Sequence, residues 1–218
     1  LEDPKGFWDI NVNGTLTLLE ACRAAGVSRF VFASSNAAVG EQTPPINEHM
    51  IPNPLSPYGA SKLAGEALCS AYNHSFGMDT VALRFANVYG PSADHKSSVI
   101  PLFVKWAAEG RPFTIYGDGE QTRDFVHVDD ICQAINLSLQ TPGIGGEVFQ
   151  IASGIETSIN ELVRLMGRVL GREIRTVHQP ERKGEIRSNY SDIGKARRIL
   201  GFEPMVQLEQ GLRALVQK

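Results

Sequence analysis

The sequence has few cysteines, little net charge and no long apolar run, and each of these absences excludes a class of protein. Its 218 residues contain three cysteines, Cys22, Cys69 and Cys132, each isolated within an apolar helical pattern. Such residues are typical of buried thiols in a reducing compartment, so we expect a cytoplasmic protein without disulfides or a metal site. A net charge of −3, with both signs mixed along the chain, predicts no nucleic-acid or membrane partner. No apolar run is long enough to cross a bilayer.

Apolar residues recur with two different periods in the first part of the chain. Residues 4–25 and 58–77 have the spacing of helices with one apolar face. Residues 29–33 and 80–85 are nearly continuous apolar runs, as in parallel strands that are buried on both faces. The order helix, strand, helix, strand is typical of a doubly wound parallel sheet, so we predict an α/β fold. Residues 34–40 would then form the loop at the carboxyl end of the first strand, where ligands bind in such sheets.

Beyond residue 90 the alternation is looser and predicts a smaller mixed α/β region. We therefore divide the chain into residues 1–90 and 91–218, with later segments free to return to the first sheet. The predicted helices of the second part cover residues 99–109, 159–170, 191–200 and 208–216, with a further helix capped by Asp129 and Asp130. The predicted strands there cover residues 113–116, 147–152 and 173–178.

Residues 56–62 contain the clearest candidates for chemistry. Pro57 suits the first turn of a helix because it lacks an N–H group that would have no partner there. Tyr58 and Lys62 are four residues apart and therefore lie on the same side of that helix. An ammonium beside a phenol favours the phenolate, which can take a proton from a substrate. Taken alone, a surface lysine beside a core tyrosine is the better interpretation, because this spacing arises often by chance.

Five stretches must be read together, and they follow one another from end to end of the chain. They are Asn11-Val12-Asn13-Gly14-Thr15, Phe32-Ala33-Ser34-Ser35, Tyr58-Gly59-Ala60-Ser61-Lys62, Arg84-Phe85-Ala86-Asn87-Val88-Tyr89-Gly90-Pro91 and Tyr116-Gly117-Asp118-Gly119-Glu120-Gln121-Thr122-Arg123-Asp124-Phe125-Val126-His127-Val128-Asp129-Asp130. In order and spacing they resemble the extended short-chain dehydrogenase/reductase family, in particular its NAD-dependent nucleotide-sugar epimerases and dehydratases. The resemblance implies an incomplete Rossmann-like doubly wound parallel sheet with a smaller mixed α/β substrate-binding region.

The resemblance implies a catalytic role for three residues. In such enzymes a tyrosine phenolate, here Tyr58, takes a proton from a sugar hydroxyl while a hydride passes from that carbon to NAD. Lys62 would favour the phenolate and hold the nicotinamide ribose, and Ser35 would hydrogen-bond the reacting oxygen. An epimerase then returns the hydride to the opposite face of the keto sugar. Without the resemblance, Ser35 is simply a serine in a loop.

The resemblance also implies ligand contacts. The cofactor-binding positions are Asn11, Ser34, Tyr58, Lys62 and Phe85, and the substrate-binding positions are Asn87, Val99, Arg123, Arg182 and Glu185. Arg123 would clamp the diphosphate of a UDP-linked or other nucleotide-linked sugar, since a guanidinium matches phosphate geometry. The alternatives stay open: Arg123 could pair with Asp124 on the surface, and Asn87 could serve only the local turn.

The sequence departs from the family pattern in two places. The chain starts at Leu1 and contains no G-x-x-G-x-x-G turn, which in relatives seats the pyrophosphate of NAD. We therefore expect a truncated chain that binds NAD poorly or not at all. Asn36 and Ala37 stand where dehydratases carry an acidic pair, which favours an epimerase or a simple reductase.

Three hypotheses follow, with one prediction about assembly. The first is a truncated NAD-dependent nucleotide-sugar 4-epimerase that resembles UDP-glucose 4-epimerase. The second is a catalytically inactive remnant that folds, dimerises and at most binds a nucleotide sugar. The third, a reductase or threonine dehydrogenase relative, is disfavoured because Asn87, Arg123 and Arg182 match diphosphate ligands. The resemblance implies a homodimer built on the helices near residues 4–25 and 57–76.

Overall fold

The computed structural model describes residues 3–93, 97–181 and 186–217. Its α-helices are α1 (Pro4–Trp8), α2 (Gly14–Ala24), α3 (Pro57–Phe76), α4 (Val99–Ala108), α5 (Val128–Gln140), α6 (Ile159–Leu170), α7 (Gly194–Leu200) and α8 (Leu208–Val216). Its strands are β1 (Arg29–Ser35), β2 (Asp79–Phe85), β3 (Asn87–Tyr89), β4 (Phe113–Tyr116), β5 (Thr122–Arg123), β6 (Phe125–His127), β7 (Val148–Ile151), β8 (Thr157–Ser158) and β9 (Thr176–Gln179). A π-helical turn covers Asp9–Asn13, and a 3-10 turn covers Asn36–Ala38.

Strands β1, β2 and β7 form a parallel sheet in that order, with helices on both faces. Val81 and Leu83 of β2 pack in a cluster with buried residues of α5 and α7. Ala82, between them, belongs to the cluster on the opposite face, which includes Cys69 of α3. The chain therefore has an α/β fold in which a parallel sheet is covered on both sides. Strand β7, from the second part of the sequence, completes this sheet beside β2.

The remaining strands form three short pairs around a second apolar core. Strand β3 pairs with β6 and β4 pairs with β9, both in parallel, whereas β5 and β8 are antiparallel. The core beneath them brings together α4, α6 and α8, and the rings of Phe103 and Phe113 stack at its centre with centroids 4.3 Å apart.

The N-terminal helix differs from its prediction. Residues 4–25 were expected to form one helix, but a π-helical turn at Asp9–Asn13 separates α1 from α2. The N–H of Gly14 bonds to the carbonyl of Asp9, five residues earlier, and the Thr15 hydroxyl donates to the carbonyl of Asn11 at 2.6 Å. A side-chain donor thus competes for a helical carbonyl, which apolar periodicity alone does not reveal.

Several predicted boundaries are also wrong. Strand β1 extends through Ser35, although residues 34–40 were assigned to a loop, and β9 begins at Thr176 rather than at residue 173. Helix α5 is capped by His127, whose Nδ1 accepts the Asp129 N–H at 3.2 Å, and not by the two aspartates. The strands with two or three residues were not predicted, because so short a stretch has no measurable period.

The prediction of buried thiols holds only in part. Cys69 is buried, and burial raises the pKa of its thiol to about 12, but Cys22 is half-buried and Cys132 is exposed. Cys132 follows Ile131 on α5 but is not part of the buried face of this helix, which contains Ile131 and Ala134. Within the described ranges, no group of three or more His, Cys, Asp or Glu side chains could hold a metal ion. None of the described helices is both long and apolar enough to span a membrane.

Gly59 permits a close approach between α3 and the turn that follows β1. A Cβ atom at this position would lie 2.2 Å from the carbonyl oxygen of Ala37 and 3.2 Å from Cβ of Pro54. The first turn of α3 therefore packs directly against the backbone after Ser35, and this packing brings Tyr58 near the end of β1.

The substitution Gly59→Ala should lower the free energy of unfolding by about 1–3 kcal/mol, because a backbone carbonyl must move to admit the methyl group. Gly14→Ala is the matched control, since its Cβ would meet only the Asp9 carbonyl oxygen at 3.8 Å, an ordinary contact. This control should be neutral or stabilise the protein by up to about 1 kcal/mol through helix propensity. Urea unfolding of both variants measures the difference, and equal stabilities would contradict the packing described.

Candidate active site

A cavity of about 520 Å³ lies between the end of the parallel sheet and the second core. Its volume is in the range of pockets that enclose a small-molecule ligand. Seven of the predicted site residues line it: Ser34, Ser35, Tyr58, Phe85, Asn87, Val99 and Arg123. Asn11 and Lys62 are not among the lining residues: Lys62 lies against the ring of Tyr58, and Asn11 bonds to Ser61. Arg182 and Glu185 fall outside the described residues.

Lys62 is held close to the ring of Tyr58 by the end of β1. Its Nζ donates to the carbonyl oxygen of Ala33 at 3.0 Å and lies 5.8 Å from the centroid of the Tyr58 ring. The same ammonium is 5.2 Å from the centroid of the Phe32 ring, so it rests against two aromatic faces. Partial burial among these groups lowers the pKa of the Lys62 ammonium. An ammonium has three donors, and Ala33 takes one of them.

Tyr58 is positioned by contacts with the N-terminal helices. Its ring packs edge-on against Phe7, with centroids 5.7 Å apart. Asn11, in the π-helical turn, donates through Nδ2 to the Ser61 hydroxyl at 3.0 Å, and that hydroxyl donates to the Tyr58 carbonyl at 2.7 Å. Asn11 therefore acts on Tyr58 through Ser61 and not from the wall of the cavity.

Ser35 presents a hydroxyl at the carboxyl end of β1. Its Oγ accepts the N–H of Ala37 at 3.2 Å and so caps the 3-10 turn. Because a hydroxyl can both accept and donate, this bond fixes the oxygen while leaving its hydrogen for another acceptor. Ser35 and Tyr58 line the same cavity.

A buried ion pair lies beneath these residues. Glu66 and Arg84 are each 5% exposed or less and form a bidentate pair, with Nε–Oε1 at 2.9 Å and Nη2–Oε2 at 2.7 Å. The hydroxyl of Ser34 also donates to Glu66 Oε1. Sequence reasoning missed this pair, although Glu66 follows Lys62 by one helical turn and Arg84 opens the stretch that contains Asn87. The sequence did contain a signal for this pair: a glutamate lies on the buried face of a predicted helix, and an arginine lies inside an apolar strand.

Asn87 and Arg123 approach the cavity from neighbouring segments. The backbone N–H and the side-chain amide of Asn87 both donate to the carbonyl of Asp124, at 2.9 Å and 3.2 Å. Arg123 Nη1 donates to the carbonyls of Thr122 and Ile186, at 2.7 Å and 2.8 Å. A guanidinium and an amide thus lie in the wall of the same cavity, which suits an anionic ligand such as a phosphate.

The sequence matches one protein family over most of its length. The model of the NAD dependent epimerase/dehydratase family matches residues 1–152. The UDP-glucuronate 4-epimerase of Thermodesulfobacterium geofontis is 35% identical over an alignment of 218 positions that covers 99% of this chain and 67% of that protein.

Two solved structures have the same fold over nearly the whole chain. The UDP-glucose 4-epimerase of Thermotoga maritima with UDP-glucose has a TM-score of 0.93 at 37% identity, covering 98% of this chain and 70% of that one. The UDP-glucuronic acid 4-epimerase from Bacillus cereus, in complex with UDP-glucuronic acid and NAD, has a TM-score of 0.92 at 33% identity, covering 100% and 69%. The chain therefore spans about two thirds of the length of these relatives.

Replacing Glu66 by Gln should lower the free energy of unfolding by about 3–5 kcal/mol, because Arg84 would keep a buried charge without its counter-ion. The control Glu203→Gln removes an exposed partner of Arg197 and should cost at most about 1 kcal/mol. Chemical unfolding of the two variants provides the measurement. A loss no larger for Glu66→Gln than for the control would show that the buried pair does not anchor α3.

Proposed function

Because the chain belongs to the NAD dependent epimerase/dehydratase family, we propose that it forms the nucleotide-sugar-binding part of a 4-epimerase. This proposal rests on the observation that Ser35, Tyr58, Asn87 and Arg123 all line one cavity. The first two residues supply hydroxyl groups for chemistry at a sugar carbon. The other two supply an amide and a guanidinium for the diphosphate that links the sugar to its nucleotide.

Proton transfer in this proposal belongs to Tyr58, Lys62 and Ser35. The Tyr58 phenolate takes the proton of the sugar hydroxyl, and the Ser35 hydroxyl donates a hydrogen bond to the same oxygen. The Lys62 ammonium, fixed by the Ala33 carbonyl, places a positive charge 5.8 Å from the centroid of the Tyr58 ring, next to the group that transfers the proton. When the carbonyl of the keto sugar is reduced again, Tyr58 returns the proton to that oxygen.

The residues present fit one end of NAD, which when bound supplies the hydride acceptor for the sugar carbon. Lys62 keeps two donors beyond its bond to Ala33, and these suit the hydroxyls of the nicotinamide ribose together with Tyr58. Phe85 offers an apolar wall, whereas the polar groups of Asn11 and Ser34 bond within the protein and maintain the shape of the site. The sequence contains no glycine-rich turn for the pyrophosphate, so we propose that this chain alone binds NAD poorly.

The loop after Ser35 favours epimerisation over dehydration. Asn36 directs its amide to the Ser191 hydroxyl at 2.8 Å and to Asn189 at 3.3 Å, so it is committed to structural bonds. Ala37 has no polar side-chain group. Neither residue can supply the acid and base that loss of water requires. The substrate class we propose is therefore a nucleotide-linked hexose, such as a UDP-sugar, with Val99, Arg182 and Glu185 as further sequence-predicted contacts.

The second candidate function is nucleotide-sugar binding without turnover. It is favoured by the missing glycine-rich turn, since a chain that does not retain NAD has no acceptor for the hydride. Both candidates require the same diphosphate contacts and differ only in the redox step. Free cysteines suit a reducing compartment, so we propose the cytoplasm as the location for either function.

Titration calorimetry with UDP and with NAD tests the proposal on this chain. Arg123→Met should weaken UDP binding by about 10-fold to 100-fold, the loss expected for a charged hydrogen bond to phosphate. Arg164→Met, on the exposed face of α6, is the control and should leave the affinity unchanged. Unchanged UDP affinity in Arg123→Met would contradict the proposed site.

Turnover separates the two candidates. With NAD present, the first predicts conversion of UDP-glucose at C4, and Tyr58→Phe should abolish conversion while UDP still binds. Heat from UDP with none from NAD, and no conversion, would support binding without turnover.

We further propose a homodimer formed by the helices that flank β1. Large apolar side chains are exposed there, with Trp8 at 49%, Ile10 at 76% and Leu18 at 57% of their full accessibility. Covering such side chains on self-association would be favourable.

Light scattering should give a dimer mass for the wild-type chain and a monomer mass for Leu18→Glu, because a carboxylate cannot be buried there without a partner. Leu139→Glu, equally exposed on α5, should remain dimeric. A monomeric wild-type chain would refute the dimer.

A further inference from the structure

Asp124 lies at the point where the two candidate phosphate contacts meet. It separates β5 from β6, and both of its chain neighbours, Arg123 and Phe125, line the cavity. Asp124 itself is fully buried, with 0% of its surface exposed. Its side chain therefore faces the protein interior, while the adjacent Arg123 lines the cavity. The side chain of Asp124 can therefore bond to segments behind the cavity wall.

The carboxylate of Asp124 is saturated with donors from two other segments. Oδ1 accepts the backbone N–H of Ser153 at 2.8 Å and its hydroxyl at 2.6 Å. Oδ2 accepts the N–H groups of Gly154 at 3.0 Å and Ser191 at 3.3 Å. Burial raises the pKa of this carboxyl, and the four donors oppose that effect because they favour the charged form. An asparagine cannot replace it, since its NH2 group would face further donors.

The backbone of Asp124 holds Asn87. The Asp124 carbonyl accepts both the N–H and the side-chain amide of Asn87, so it fixes the residue and the direction of its amide. The Asn87 Oδ1 atom and its second N–H are then left for a ligand. A shift of the Asp124 backbone would move the Asn87 amide with it.

The carboxylate of Asp124 also fixes the segment that Arg123 uses. Arg123 Nη1 donates to Ile186 at one end of residues 186–191, and the N–H of Ser191 at the other end donates to Asp124. The N–H of Thr122 bonds to the Arg187 carbonyl between them. Residues 186–191 are thus bonded at one end to Arg123 and at the other end to Asp124, which are adjacent in sequence. Loss of the bond at Ser191 would loosen the Ile186 carbonyl, which orients Arg123.

From these contacts we propose that Asp124 is a positioning residue that sets Asn87 and Arg123 for the diphosphate of the ligand. The inference rests on the proposed function, because it assumes that Arg123 binds phosphate. Asp124 never touches the ligand; it acts through its carbonyl on Asn87 and through its carboxylate on the segment that carries Ile186. Its removal should therefore weaken recognition of phosphate more than recognition of the nucleoside.

The test compares the binding of UDP and of uridine, which lacks the phosphates, by calorimetry. Asp124→Asn should weaken UDP binding by about 10-fold or more and leave uridine binding unchanged. Ser153→Ala, which removes one of the four donors, should give a smaller loss in the same direction and serves if Asp124→Asn does not fold. The double variant Arg123→Met/Asp124→Asn should lose less UDP affinity than the two single losses combined, since the part of the Asp124 effect that acts through Arg123 is already lost in Arg123→Met.

Asp130→Asn is the matched control. Asp130 is 2% exposed and accepts the backbone N–H groups of Met205 and Val206, so it is an equally buried carboxylate away from the diphosphate contacts. It should lower thermal stability without changing the ratio of UDP to uridine affinity. Equal losses for UDP and uridine in Asp124→Asn and Ser153→Ala, or no loss, would overturn the positioning role. Unchanged UDP affinity in Arg123→Met would instead overturn the proposed function.

Discussion

The buried ion pair between Glu66 and Arg84 is the constraint on which the geometry of the site depends. It joins α3 to β2 at the level where Ser34, Arg84 and Gln150 lie side by side across the sheet. A charge pair buried to this extent tolerates little displacement, because any separation leaves an uncompensated charge in a medium of low polarity. The helix that carries Tyr58 and Lys62 is therefore fixed both along its axis and in rotation relative to Ser35.

In two places, a residue that lines the cavity is next in sequence to a residue whose side chain supports the site. Ser34 and Ser35 both line the cavity, but the hydroxyl of Ser34 is bonded to Glu66; likewise Arg123 lines the cavity while Asp124 bonds to the loops behind it. Side chains of successive residues in extended backbone point in opposite directions, so each functional group has a supporting group next to it in sequence. This arrangement keeps the ligand-facing side chains on short, regular backbone, where their direction is set by neighbouring strands.

The long elements and most of the cavity could be predicted from the sequence, whereas the supporting contacts could not. Apolar periodicity indicated α3 and α6 because both run for several turns. Strands β5 and β8 have two residues each, and their pairing depends on partners far along the chain, which no local pattern encodes. The resemblance made Tyr58 and Arg123 candidates, because their neighbouring residues form specific motifs, and both line the cavity. Asp124 stood inside one of these motifs and Glu66 lay one helical turn beyond another, but their roles come from contacts with Ser191 and Arg84 that only the folded chain reveals.

The π-helical turn at Asp9–Asn13 has a consequence for the tolerance of this region to insertions and deletions. A wider turn accommodates one residue more than a regular helix, and each residue rotates the helix by about 100°. Shortening this turn by a single residue would rotate α1 relative to α2 and carry Phe7 away from the ring of Tyr58. The number of residues between Phe7 and Gly14 therefore sets the direction from which the Phe7 ring meets Tyr58.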